Sequence, residues 1–187
     1  LNSKKSLKEL FLLIFPEFKY LERLNKFNKI FNQTKFDEKV LLPILLIDEK
    51  NNHEYFSHKY NISNEIKENL NILAKNFINI YENKNFFIKD LKKNIFYFGK
   101  DHLKILNVLN FTNNKKIKLE NYLNTLNVIN KLSLPKFPID GNYLKKKGVN
   151  EGAIIGKILK LLENEWLDND CQISDQKISK IINDVKN

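Results

Sequence analysis

The chain has 187 residues, 42% of them hydrophobic and 12% aromatic, enough to bury a core and to exclude wholesale disorder. Its formal net charge is +10, from 32 basic against 22 acidic residues, which favours nucleic acid or an anionic membrane face as partner. The single cysteine, Cys171, excludes an intramolecular disulfide and fits a reducing compartment, so a cytoplasmic location is expected.

Arg23 is the only arginine among those 32 basic residues, and Lys, Asn, Ile and Phe are all abundant, as they are under a coding bias. The placement of the lysines therefore says more than their number. No window approaches the roughly 18 apolar residues of a membrane span. Leu10 to Phe15 is apolar, but it is too short for a signal peptide and lacks a cleavage-type flank. Met is absent and the first residue is Leu1, so a fragment or a processed product is expected.

Helical spacing recurs along the chain and no alternating strand pattern is sustained, which predicts an all-α fold of about nine to eleven helices. A first helix is expected from Ser3 to Ile14, stopped by Pro16, because the residue before a proline avoids helical angles. A second covers Phe18 to Phe31, with Leu21, Leu24, Phe27 and Phe31 on one face. A third, Phe36 to Ile47, is unusually apolar, and Pro43 must end, kink or begin something there. After the polar break at Asp48 to Asn52 comes a short helix through Tyr55 and Tyr60. Ser63 then reads as an N-cap with Glu65 in the first turn, and Ile66, Leu70, Leu73, Phe77 and Ile80 keep the helical period behind it.

A helix over Phe86 to Phe98 should end at Gly99 as its C′ glycine. Asp101 should cap the next, through Leu103, Leu106 and Leu109, which Asn113 and Asn114 break. Leu119, Tyr122, Leu123, Leu126 and Ile129 mark another. Four of the chain's 5 glycines (Gly141, Gly148, Gly152, Gly156) fall in the stretch Leu134 to Trp166, together with Pro135 and Pro138. That stretch reads as a rigid turn, a short helix, a tight glycine-bounded connection and a long helix striped by Ile155, Leu159, Leu162 and Trp166. Ser174 caps a last helix, Asp175 to Val185. Asn83 to Asn85 is the softest boundary, predicting a helical body over 1–83 and a tail domain over 84–187.

Charge placement favours the second half. Nine lysines face three acids from Lys84 to Glu120, and seven face two from Lys131 to Lys160. From Leu161 to Gln176 there are five acids and no base. The run Lys145-Lys146-Lys147-Gly148-Val149-Asn150-Glu151-Gly152 is the sharpest feature. A helix starting near Asn150 or Glu151 leaves its first N–H groups unpaired, where an anion is attracted. Gly148 and Gly152 let a phosphate approach with no Cβ in the way. Helix-hairpin-helix modules hold a nucleic-acid backbone in this manner without reading sequence. The competing account makes Gly148 a helix stop and has Gly152 and Gly156 let two helices pack closely.

Catalytic constellations are mostly absent. His53, His58 and His102 lack neighbours of metal-ligand type and read as surface or packing residues. Two-metal phosphoryl transfer needs clustered carboxylates, and Asp168-Asn169-Asp170 lies in an acidic run at a helix end. No P-loop is present.

Phe137-Pro138-Ile139-Asp140-Gly141, Tyr143-Leu144, Gly148-Val149, Gly152, Ile155-Gly156-Lys157-Ile158-Leu159 and Trp166 together resemble the C-terminal signature of bacterial CCA-adding tRNA nucleotidyltransferases and their poly(A) polymerase relatives. Leu13-Ile14-Phe15-Pro16-Glu17 followed by Leu21 is similar to the segment after that family's neck helices, and Tyr60 to Glu65, with Ile62-Ser63-Asn64, to a helix start of its body. The resemblance implies a body and tail that hold the acceptor and T arms of tRNA. Catalysis would belong to an N-terminal head of the same polypeptide, using Mg2+ with CTP and ATP, so no cofactor is expected in this chain and no catalytic residue. It implies RNA contact through Gly148, Gly152, Gly156 and Lys157. The local lysines Lys136, Lys145, Lys146 and Lys147 join them by charge. A poly(A) polymerase C-terminal region and a non-catalytic helical interaction module are the alternatives.

Overall fold

A computed structural model describes residues 2–31, 38–150 and 152–186. Phe36, the expected start of the third helix, and Glu151, an expected start of the long one, lie outside them. The described residues form eleven α-helices and no strand, so the chain is all-α. It divides into two compact units, Leu1–Lys131 and Leu132–Asn187. The division differs from the boundary expected at Asn83 to Asn85. That polar stretch is a tight turn: Asn83 Nδ2 donates to Asp90 Oδ2 at 2.7 Å, and Asn83 Oδ1 accepts from the Asn85 N–H at 2.9 Å. The turn delivers Phe86, 3% exposed, into the core of the first unit.

The first unit holds α1 (Asn2–Ile14), α2 (Arg23–Phe31), a 3-10 turn (Glu38–Val40), α3 (Leu41–Leu46), α4 (Asn52–Lys59), α5 (Asn64–Glu82), α6 (Leu91–Phe98), α7 (Lys100–Asn113) and α8 (Leu119–Lys131). Helix α7 is its centre. It buries Leu103, Leu106, Asn107, Val108, Leu109, Phe111 and Thr112, residues on every side of the helix, and packs against α2, α3, α5, α6 and α8. Two of its polar side chains are satisfied by backbone: Thr112 Oγ1 donates to the Val108 carbonyl at 2.9 Å, and Asn107 Nδ2 to the Tyr122 carbonyl at 3.0 Å.

Several local expectations hold. Ser63 Oγ accepts from the Ile66 N–H at 3.4 Å, and α8 buries Tyr122, Leu126 and Ile129. Others differ. Helix α2 starts at Arg23, not Phe18, and buries Arg23, Phe27 and Ile30, while Phe31 is 55% exposed. Pro43, by contrast, begins an element, one of the roles expected of it: it is the third residue of α3, inside the first turn. Asp101 does not cap α7. Gly99, at φ +79° and ψ 161°, a region open to glycine alone, ends α6 and begins α7 in one residue, and Asp101 instead pairs with Lys104 at 2.8 Å.

The second unit holds an extended segment (132–140), α9 (Gly141–Lys146), α10 (Gly152–Asp168) and α11 (Asp175–Lys186). Its core is Ile139, Leu144, Val149, Ile158, Leu162, Ile178 and Ile182, all buried. Phe137 from the extended segment meets the buried Trp166 edge-on at 5.4 Å between ring centroids. Ser174 Oγ accepts from the Lys177 N–H at 3.3 Å and so caps α11 as expected.

Candidate nucleic-acid interface

Seven of the eight residues singled out by sequence surround the connection from α9 to α10, or lie on α10 itself. Each end of α9 is closed by a specific device. At its start Asp140 Oδ1 accepts from the Tyr143 N–H at 2.8 Å, a side-chain N-cap. At its end the Val149 N–H reaches back to the Leu144 carbonyl at 3.1 Å and the Gly148 N–H to the Lys145 carbonyl at 3.0 Å. This is a Schellman motif, and it needs a left-handed residue at Gly148, whose φ is +78°. The hydrophobic contact that accompanies such a motif is present too, since Leu144 and Val149 are buried in the same cluster.

The Schellman turn places its neighbours outward. Lys145, Lys146, Lys147 and Gly148 are exposed, as are Gly152, Gly156 and Lys157 on α10 and Lys136 in the extended segment. The Lys147 ammonium lies 5.8 Å from the Tyr143 ring centroid. None of these five lysines forms an ion pair with a described residue. On α10, Gly152, Gly156 and Lys160 follow one another at four-residue spacing beside Ala153 and Lys157, and all five are exposed. The face is therefore nearly flat for its first turn and basic in its next two. The acidic run begins beyond it. Glu165, near the far end of the helix, pairs with Lys177 at 2.8 Å, and a helix of 17 residues is about 25 Å long.

The packing account of the glycines can be judged directly. Among the described residues, a Cβ added to Gly152 or Gly156 would meet nothing within 4 Å, so no described helix uses the space. At Gly141 a Cβ would stand 3.7 Å from Ile155 Cγ2, an ordinary contact. Gly148 is required by its backbone angle; no packing contact among the described residues requires Gly152 or Gly156.

One further basic side chain meets this turn. Lys186, in the last turn of α11, donates from Nζ to the Gly148 carbonyl at 2.7 Å. The two are 38 residues apart, and no local pattern pairs them. Arg23, which the sequence left without a role, is 3% exposed in the first unit and is structural. Its Nη1 donates to the Ile44 and Ile47 carbonyls at 2.9 and 2.8 Å, and its Nε and Nη2 to Asn113 Oδ1 at 3.1 and 2.7 Å. The guanidinium carbon lies 3.9 Å from the Tyr20 ring centroid.

The histidines are packing residues or exposed. His53 is buried and His58 is exposed. His102 stacks on Phe98 at 5.6 Å between centroids, and its Nε2 is 3.3 Å from Asn76 Nδ2; burial pushes its pKa down to about 4, so the ring is neutral. Among the described residues no group of three or more His, Cys, Asp or Glu could hold a metal ion, and no helix is long and apolar enough to cross a membrane. Asp168 and Asp170 are exposed at the end of α10 and in the turn after it.

No family model, no curated protein and no solved structure matches the chain.

Proposed function

We propose that this chain is a nucleic-acid-binding module that grips a phosphate backbone. By its resemblance, it is the tRNA-contacting C-terminal portion of an enzyme that adds CCA to tRNA 3′ ends. The observation that carries the reading is the turn at Gly148. There, exposed glycines that packing does not require adjoin lysines with no acid among the described residues to pair them. The remainder rests on the resemblance: the acceptor and T arms as ligand, an N-terminal head supplying Mg2+-dependent chemistry on CTP and ATP, a cytoplasmic setting, and poly(A) addition as the variant reading. In the first unit, two stretches that carry the resemblance adjoin: the buried Glu17 carboxylate accepts from the Tyr60 hydroxyl at 3.2 Å.

The test is a mobility-shift titration of tRNA, and of an unrelated structured RNA, with the chain and with a variant in which Lys145, Lys146 and Lys147 are all glutamine. Backbone contact predicts that the variant loses affinity for both RNAs by about the same factor. Unchanged affinity in the variant would remove the turn from the interface.

A helical protein-interaction module is the second reading, and α1 is the observation in its favour. Leu7, Leu10, Leu13 and Ile14 are 70%, 57%, 78% and 57% exposed there. Copurification of a protein bound through α1, without RNA binding, would support it.

A further inference from the structure

The fold brings a fourth ammonium to the turn where the sequence places three. The hydrogen bond from Lys186 Nζ to the Gly148 carbonyl uses one of three N–H donors, and a Cβ on Gly148 would stand 3.6 Å from the same nitrogen. Both ends of this contact are held by the core. Ile178 and Ile182 anchor α11 in the buried cluster, and Leu144 and Val149 anchor the turn in the same cluster. Lys186 is exposed and no described carboxylate pairs with it. Bringing a fourth ammonium to a turn flanked by three lysines adds like-charge repulsion, offset within the fold only by that one hydrogen bond. A polyanion removes that repulsion, and an ammonium already held in place loses less freedom when it binds one.

We infer that Lys186 is a further contact residue of this interface, binding the same phosphodiester backbone as Lys145, Lys146 and Lys147 and fixing its position against the Gly148 turn. The inference rests on the nucleic-acid reading and adds α11 to it. A purely structural role is the competing account, since a lysine bonded to a helix-terminal carbonyl can serve as a cap.

The two accounts separate in a salt series of tRNA binding with Lys186→Gln, Lys186→Arg and, as an exposed control on the same helix, Lys180→Gln. A phosphate contact predicts that Lys186→Gln lowers the slope of log K against log salt by about 0.9 and leaves the melting temperature unchanged. That slope is worth about 3.5-fold in affinity across a fourfold salt range. Lys186→Arg should restore the slope. A normal slope in Lys186→Gln, or a fall matched by Lys180→Gln, overturns the inference and leaves the nucleic-acid reading standing. A lowered melting temperature with no recovery in Lys186→Arg also overturns it, as a structural role. Failure of the unaltered chain to bind tRNA at low salt overturns both.

Discussion

At the scale of single residues, the glycines of the second unit separate into those the fold needs and those it does not. Gly148 holds φ +78°, so Gly148→Ala should destabilise the protein by about 1–2 kcal/mol, read as a lower midpoint in urea. Gly156 lies inside α10 with open space above it, and Gly156→Ala should stabilise by about 0.5–1 kcal/mol. If the bare surface serves to admit a phosphate, the double variant Gly152→Ala, Gly156→Ala should be more stable and yet bind RNA less tightly. Equal or tighter binding by that variant would return these glycines to chance. Arg23 carries the opposite lesson. Its five donors in a planar fork reach two carbonyls and Asn113 at once, which an ammonium cannot do. Arg23→Lys should cost about 2–4 kcal/mol by leaving buried acceptors unpaired. A loss under 1 kcal/mol in denaturant titration would mean that the site relaxes around lysine.

At the scale of elements, the contact among α5, α6 and α7 predicts a pH dependence. His102 of α7 lies against Phe98 of α6 and Asn76 of α5, and its pKa of about 4 is below its ordinary 6.5. Between those values the unfolded chain binds more protons than the folded one, so stability falls as pH drops from about 6.5 to about 4. Burial lowers the pKa of His53 as well and acts in the same direction. Urea midpoints at pH 7 and pH 5 should differ, and His102→Phe should narrow the difference; an unchanged difference would exclude His102 as a source. Which elements were legible follows from how local their causes are. Ser63, Ser174 and the buried positions of α8 are legible because cap and stripe lie within one helix; the stripes of α5 and α10 are legible only in part, since Ile66 is 43% exposed and the fully buried Ile158 falls outside the expected stripe. The buried face of helix α2 is not legible in sequence because it includes Arg23, whose acceptors lie at positions 44, 47 and 113, and spacing of apolar residues cannot reveal a charge that is buried. Asp101 reads as a cap in sequence, because only the backbone reveals that Gly99 occupies that position.

At the scale of the whole molecule, the division between Lys131 and Leu132 changes what the composition seemed to say. A polar Asn-rich stretch suggested a boundary near residue 83, but Phe86 fills the first unit's core immediately behind it. The lysines of Lys84 to Lys118 therefore belong to the first unit, some already engaged: Lys104 pairs with Asp101, and Lys100 Nζ donates to the Asn130 carbonyl at 2.8 Å. The second unit carries the exposed glycines, the three consecutive lysines and Lys186. The candidate interface was legible in sequence as far as the Lys145 to Gly156 run, because glycine and lysine adjoin there. Lys186 was not, because it arrives through the packing of α11. The most direct measurement of the central claim is the salt dependence of tRNA binding by the unaltered chain. Contact with a duplex backbone predicts a straight line of log K against log salt, falling by about 0.9 for each phosphate neutralised. Binding that is indifferent to salt, or no binding even at low salt, would contradict it.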